Sequence, residues 1–200
     1  MRRKNSKILK MFVFFCVFIL SNIHYTYAIS SHDISDNTLT IKVDKEGDFT
    51  EMLNNNEFNG KFENIIIKGK MSGYDIVTLE SISEKCKSID LTNVNTELII
   101  SESFKDFYNL EDFKFPKNLT YVSGDTLSNC HNLKSVALPE NLQYIEYHAF
   151  RNCPNLKMTV PANVKLDENV FYGSPGVKIL KNKSILNSLY SKFVNFINVL

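Results

Sequence analysis

Phe115-Pro116-Lys117-Asn118-Leu119 returns 23 residues later as Leu138-Pro139-Glu140-Asn141-Leu142, and 22 after that as Val160-Pro161-Ala162-Asn163-Val164. A second echo runs between the copies. Leu127-Ser128-Asn129-Cys130-His131-Asn132-Leu133 becomes Phe150-Arg151-Asn152-Cys153-Pro154-Asn155-Leu156, then Phe171-Tyr172-Gly173-Ser174-Pro175-Gly176-Val177. Phe104 to Leu110 fits the same frame, with Phe107 in the cysteine slot. A period of about 20 to 25 residues marks a solenoid, whose units stack because none buries its apolar face alone.

Outward from this stretch, apolar residues recur in alternating pairs: Ile65/Ile67, Ile89/Leu91, Phe113/Phe115, Val136/Leu138, Met158/Val160 and Val177/Ile179. Their first members lie 24, 24, 23, 22 and 19 residues apart. Alternation sets both side chains of a pair on one face of a strand, and stacked parallel strands about 4.8 Å apart would close one continuous core. Pro116, Pro139 and Pro161 sit just past these pairs, where a missing N–H does least harm. Asn129, Asn132, Asn152 and Asn155 fall at the bends, where Asn tolerates left-handed backbone and its amide serves free turn groups. The expected fold is an α/β solenoid of about six coils with a parallel strand stack.

The flanks depart from the repeat. Leu39 to Val43 alternates like a strand, Gly47 marks a turn, and Phe49, Met52 and Leu53 follow at helical spacing. Tyr74 to Lys85 reads as a helix with Ile76, Leu79 and Ile82 on one face. These elements predict an N-terminal strand/helix cap. Ile185, Leu189, Tyr190, Phe193, Phe196 and Ile197 form an apolar stripe that predicts a C-terminal helical cap. The division is 1–28 signal peptide, 29–37 flexible lead, 38–88 N-terminal cap and first coil, 89–180 repeats, and 181–200 C-terminal cap.

The leader reading rests on five basic residues, then the apolar run Met11 to Leu20, then Thr26-Tyr27-Ala28. That order matches an export signal, and ten apolar residues are too few to span a bilayer core needing about 20. Without residues 1–28 the chain holds 18 basic and 22 acidic side chains, so nothing suggests a nucleic-acid partner. The remaining chain has no stretch suited to a membrane span and is expected to be secreted or held at the cell surface.

Leu138-Pro139-Glu140-Asn141-Leu142, Ile145, Ala149-Phe150, Cys153 and Leu156 together resemble the coil of BspA-type leucine-rich repeat surface proteins. The preceding coil has Thr126-Leu127 at the Ala-Phe place, and the following one has Val170-Phe171 with Ser174 in place of cysteine. The resemblance covers about residues 38–200. It implies a solenoid that mediates non-covalent protein–protein recognition, in particular adhesion. The implied ligand is a host, matrix or other microbial surface protein, or a glycan. A small module assembling with other surface components is the alternative from the structural class, and a secreted enzyme inhibitor is a further one.

No catalytic constellation or cofactor is expected. Cys130, His131, His148 and Cys153 could be imagined around zinc, but ligands must converge on one point, whereas the register turns both cysteines inward. A disulfide between Cys130 and Cys153 is conceivable in an exported chain, yet equivalent side chains of stacked coils run parallel rather than face each other. What remains is surface. The outward strand positions Asp90, Asp112, Lys114, Ser135, Lys157, Thr159 and Lys178 form one candidate binding strip. Tyr121 and Tyr144, placed in the loops after the prolines, form a second, aromatic patch.

Overall fold

A computed structural model describes residues 33–54, 62–96 and 98–181. The expected leader and, apart from Lys181, the expected C-terminal cap lie outside them. The chain begins with β1 (Asp33–Ser35), which turns through Asp36 and Asn37 into β2 (Thr38–Val43) and pairs antiparallel with it. Both turn residues have positive φ, 48° and 62°. That conformation lets a two-residue turn follow the twist of its strands. Residues 33–37 therefore form a hairpin arm within the stretch read as a lead.

From β2 onward all pairing among the described strands is parallel. Helix α1 (Asp48–Asn54) buries Phe49 and Met52 and leads to β3 (Asn64–Lys70). Leu39 lies opposite Ile65, Ile65 opposite Ile89, Ile89 opposite Phe113 and Phe113 opposite Val136. The rungs are β4 (Ser88–Asn95), β5 (Asp112–Lys114) and β7 (Ser135–Ala137), which complete a six-stranded sheet ordered β1-β2-β3-β4-β5-β7. Leu39, Ile41, Ile65, Ile67, Ile89, Leu91 and Phe113 are no more than 1% exposed. At Gly69 φ is 103°, and a Cβ there would stand 1.9 Å from the Val43 carbonyl oxygen, so only glycine lets β2 and β3 approach.

The helix expected over Tyr74–Lys85 is two pieces: α2 (Gly73–Val77) and a 3₁₀ segment over Thr78–Lys85. Ile76 and Leu79 are fully buried, as the spacing requires. The change of pitch has a local cause. The Thr78 hydroxyl donates to the Asp75 carbonyl at 2.6 Å and the Ser81 hydroxyl to the Thr78 carbonyl at 2.8 Å. Bonds to carbonyls three residues back suit the tighter helix.

A second, three-stranded parallel sheet joins β6 (Tyr121–Val122), β8 (Tyr144–Ile145) and β10 (Lys165–Leu166). Val122 and Ile145 point into the core and are fully buried. Between the sheets the chain bends twice per coil. Glu102, Asp125, His148 and Asn169 have positive φ, and so do Asp106, Asn129, Asn152 and Gly173 four residues on. Asn129 donates to the Asp106 carboxylate at 2.8 Å and Asn152 to the Asn129 carbonyl at 2.9 Å, so the second series is a side-chain ladder. Asn132 and Asn155 instead donate to the Tyr108 and His131 carbonyls.

The core is the cluster that the repeat implies. Phe104, Phe107, Leu110, Leu127, Leu133, Leu142, Ala149, Phe150 and Leu156 are all 1% exposed or less. The expected continuous strand stack is interrupted, however. β9 (Met158–Val160) pairs with β11 (Val177–Ile179) in a separate sheet, and no ladder joins β7 to β9. Three residues lead from Leu110 to Phe113 and from Leu133 to Val136, but two lead from Leu156 to Met158. Lys157 still donates its N–H to the Lys134 carbonyl at 2.9 Å, the place that Lys134 takes on Glu111 at 2.7 Å. The strand then begins one residue early, so the inward Met158 and Val160 fall out of step with the inward Val136 and Leu138, and a one-residue slip sets inward positions against outward ones. Val136 and Leu138, on the rung at the break, pack on the core only half-buried. Ile179, expected inward, is 53% exposed. It lies in the last described rung, which has a neighbour only in β9.

Candidate binding surface

Stacking turns each outward strand position into a column. Just ahead of the strands stand Glu63, Lys87, Glu111, Lys134 and Lys157, at intervals of 24, 24, 23 and 23 residues. Lys87 meets Glu63 at 2.8 Å and Lys134 meets Glu111 at 2.5 Å. Within the strands, Lys114 meets Asp90 at 2.8 Å and Ser135 donates to Asp112. The Asp90 carboxyl shows how tightly this face is tied. Burial works to raise its pKa, yet the Lys114 ammonium and the hydroxyl and N–H of Thr92 outweigh that and hold it below the usual value. Hydrogen bonding by Asp90 in turn raises Lys114, and hydrogen bonding by Lys134 lowers Glu111.

Asp90, Asp112, Lys114, Ser135, Lys157, Thr159 and Lys178 therefore lie along one side of the strand stack. All but the half-buried Asp90 are exposed. The charge column ahead of the strands escaped the sequence reading, although its fixed spacing was the signal that could have found it.

Tyr121 and Tyr144 are elsewhere, on the second sheet, so the two candidate patches belong to separate surfaces. They also sit in strands β6 and β8 rather than in loops. The cause is backbone pairing: Gln143 and Tyr144 donate to the Thr120 carbonyl and Glu146 to that of Val122. The rings stack at 5.4 Å and 13°. Burial and a hydrogen bond to Glu146 push the Tyr121 hydroxyl up to about 12, while burial and Asp167 raise that of Tyr144. Each tyrosine is thus tied to a carboxylate two residues past its partner position in the next coil.

The cysteines are packing groups. Cys86, Cys130 and Cys153 are free and buried. Cys130 donates its S–H to the Phe104 carbonyl at 3.2 Å and Cys153 to that of Leu127 at 3.1 Å. Ser174 makes the same bond to Phe150 at 2.6 Å. Burial pushes the Cys86 thiol up to about 12 and that of Cys153 up to about 11, so both stay thiols near neutral pH, unsuited to nucleophilic attack. His131 turns outward and stacks on Tyr108 at 5.6 Å. Among the described residues no group of three or more His, Cys, Asp or Glu could hold a metal ion. No described helix is long and apolar enough to cross a membrane.

Parallel rungs, paired bends and a cysteine slot repeated each coil define a leucine-rich-repeat solenoid. The chain belongs to the BspA type leucine rich repeat region family, whose model matches residues 51–178 in six copies. A search of curated proteins finds no match. Solved structures similar to it include the following two. One is a leucine-rich cell surface protein from Faecalibacterium prausnitzii A2-165, at 17% identity over 78% of this chain and 39% of that chain, with a TM-score of 0.39. The other is the pneumococcal vaccine antigen PcpA, at 19% identity over 77% of this chain and 47% of that one, with a TM-score of 0.41. The chain spans less than half the length of either.

Proposed function

We propose that this protein is an exported, non-catalytic recognition module that binds a protein ligand at the cell surface or outside the cell, as an adhesin does. The observation that carries the reading is the strand face. Polar side chains line it on both sides of the break between β7 and β9, at positions whose inward neighbours from Ile89 to Val160 pack on the core. A stacked, extended surface of this kind serves binding in repeat proteins. In the same reading residues 1–28 are a cleaved leader, 38–88 close the N-terminal end of the solenoid, and 181–200 close the other end.

The test is binding of purified 29–200 to an array of extracellular-matrix proteins, host surface proteins and glycans. A variant with Ala137→Arg and Thr159→Arg sets two bulky side chains on the strand face, and Gln143→Arg sets one on the second sheet. We expect a saturable protein hit that the first variant loses and the second keeps. Silence across the array, or a hit indifferent to both variants, overturns the proposal.

A further inference from the structure

Charge is distributed unevenly along the strand face. In the column just ahead of the strands, and across β4 and β5, acidic and basic groups meet in pairs: Glu63 with Lys87, Asp90 with Lys114, and Glu111 with Lys134. Asp112 is held by Ser135, and Lys68, farther along β3, stands exposed and apart from them. Beyond the break between β7 and β9 the pairing stops. Lys157 and Lys178 are exposed and form no ion pair among the described residues. Thr159, directly opposite Lys178 across the ladder, is uncharged, and so is Ala137. Residues 182–200 hold no Asp or Glu with which these lysines could pair. Leu180, which follows the last rung and donates its N–H to the Val160 carbonyl, is 55% exposed.

From this the structure assigns the ligand-contacting part of the face to the segment after the break, with an acidic peptide segment of the partner protein as its occupant. The inference rests on the recognition reading above. Paired charges are already satisfied and gain little from a partner, whereas unpaired lysines gain a carboxylate and steer its approach. The exposed Ala137 and Thr159 put neither bulk nor charge in the way of an extended backbone crossing this face. The exposed Leu180 beside Lys178 favours a peptide with apolar residues over a sulfated glycan, which has none to offer.

The probe is a fluorescein-labelled deca-glutamate peptide, followed by anisotropy against the 29–200 protein at low and at physiological salt. Saturable binding that weakens with salt is expected. Lys157→Gln with Lys178→Gln should weaken it at least tenfold. Lys45→Gln with Lys165→Gln removes the same net charge elsewhere and should change it less than twofold. Equal loss in both pairs, equal binding of deca-lysine, or tighter binding of a heparin-derived decasaccharide than of the peptide overturns the inference. No peptide binding also overturns it. If Ala137→Arg with Thr159→Arg still abolishes a hit on the protein array, the recognition reading survives that failure.

Discussion

Asp75 offers the sharpest test of how the N-terminal end of the solenoid is held. Its side chain is 0% exposed and gathers three backbone N–H groups and two hydroxyls. Oδ2 accepts from Gly47 N at 2.8 Å, Ser72 N at 2.9 Å and Ser72 Oγ at 2.8 Å; Oδ1 accepts from Thr50 Oγ1 at 2.8 Å and Thr50 N at 3.3 Å. One carboxylate thereby ties the turn after β2, the start of α1 and the start of α2. In Asp75→Ala, water can replace the oxygen at the exposed Gly47, but Ser72 and Thr50 are half-buried. Two charge-assisted bonds at about 1.5 kcal/mol each set the loss near 3 kcal/mol. Asp75→Asn can place its amide nitrogen at the Oδ1 position and give up mainly the long Thr50 N–H bond, so about 1–2 kcal/mol is expected.

The pH dependence adds a second handle. Burial tends to raise the Asp75 pKa, but the hydrogen bonds from Gly47, Ser72 and Thr50 outweigh it and leave the carboxyl below its ordinary value. A group whose folded pKa is depressed stabilises fully above its unfolded value, and that stabilisation is lost as pH falls through the folded one. The gap between wild type and Asp75→Asn should therefore be widest at about pH 6 and narrow towards about pH 2.5. The chain has no tryptophan, so urea unfolding followed by far-UV circular dichroism is the assay. A loss below about 1 kcal/mol for Asp75→Ala, against the bonds counted above, refutes the reasoning. So does a gap to Asp75→Asn that ignores pH.

Three further outcomes follow from the repeat itself. Phe150 is fully buried, stacked on Phe171 at 5.7 Å, and Phe150→Ala should cost about 3–5 kcal/mol in urea unfolding; under about 1 would refute the coil register. Ser174→Ala should cost about 1–3 kcal/mol, because it strands the Phe150 carbonyl and the Cys153 N–H, whereas Ser174→Cys should stay within about 1. Equal losses for the two variants would show that the carbonyl bond is immaterial. Deleting 181–200 should bring concentration-dependent association in sedimentation, and a monomer of unchanged stability would remove the cap assignment.

The repeat was legible because its constraints are local and recur. Cys130 and Cys153 share a slot, and Pro116, Pro139 and Pro161 each mark the end of a strand, so the register of Phe113 and Val136 followed from counting. The same counting held the missing residue between Leu156 and Met158, whose consequence for pairing needs the stacked neighbour to be seen. Asp75 was illegible for another reason: its partners Gly47 and Thr50 are distant in sequence, and only Ser72 three residues back carried a capping signature. On the candidate surface, alternation sorted outward from inward positions. It could not show that Asp90 and Lys114 spend their charges on each other, since that contact joins residues 24 apart. Nor could it separate Tyr121 and Tyr144 from the strip, because a chain that turns twice per coil divides its exposed residues among several sides.

The thiol and hydroxyl bonds of the shared slot run one way. Cys130 reaches back to Phe104, Cys153 to Leu127 and Ser174 to Phe150, always from a later coil to an earlier carbonyl. At the bends the earlier coil's N–H groups of Phe104, Leu127 and Phe150 likewise wait for carbonyls of the later one. A chain emerging amino-terminus first can therefore seal each coil only when the next has arrived. Its growing end always trails one open turn, and a stall in synthesis at any coil boundary leaves one layer of unmet backbone whatever the length already made.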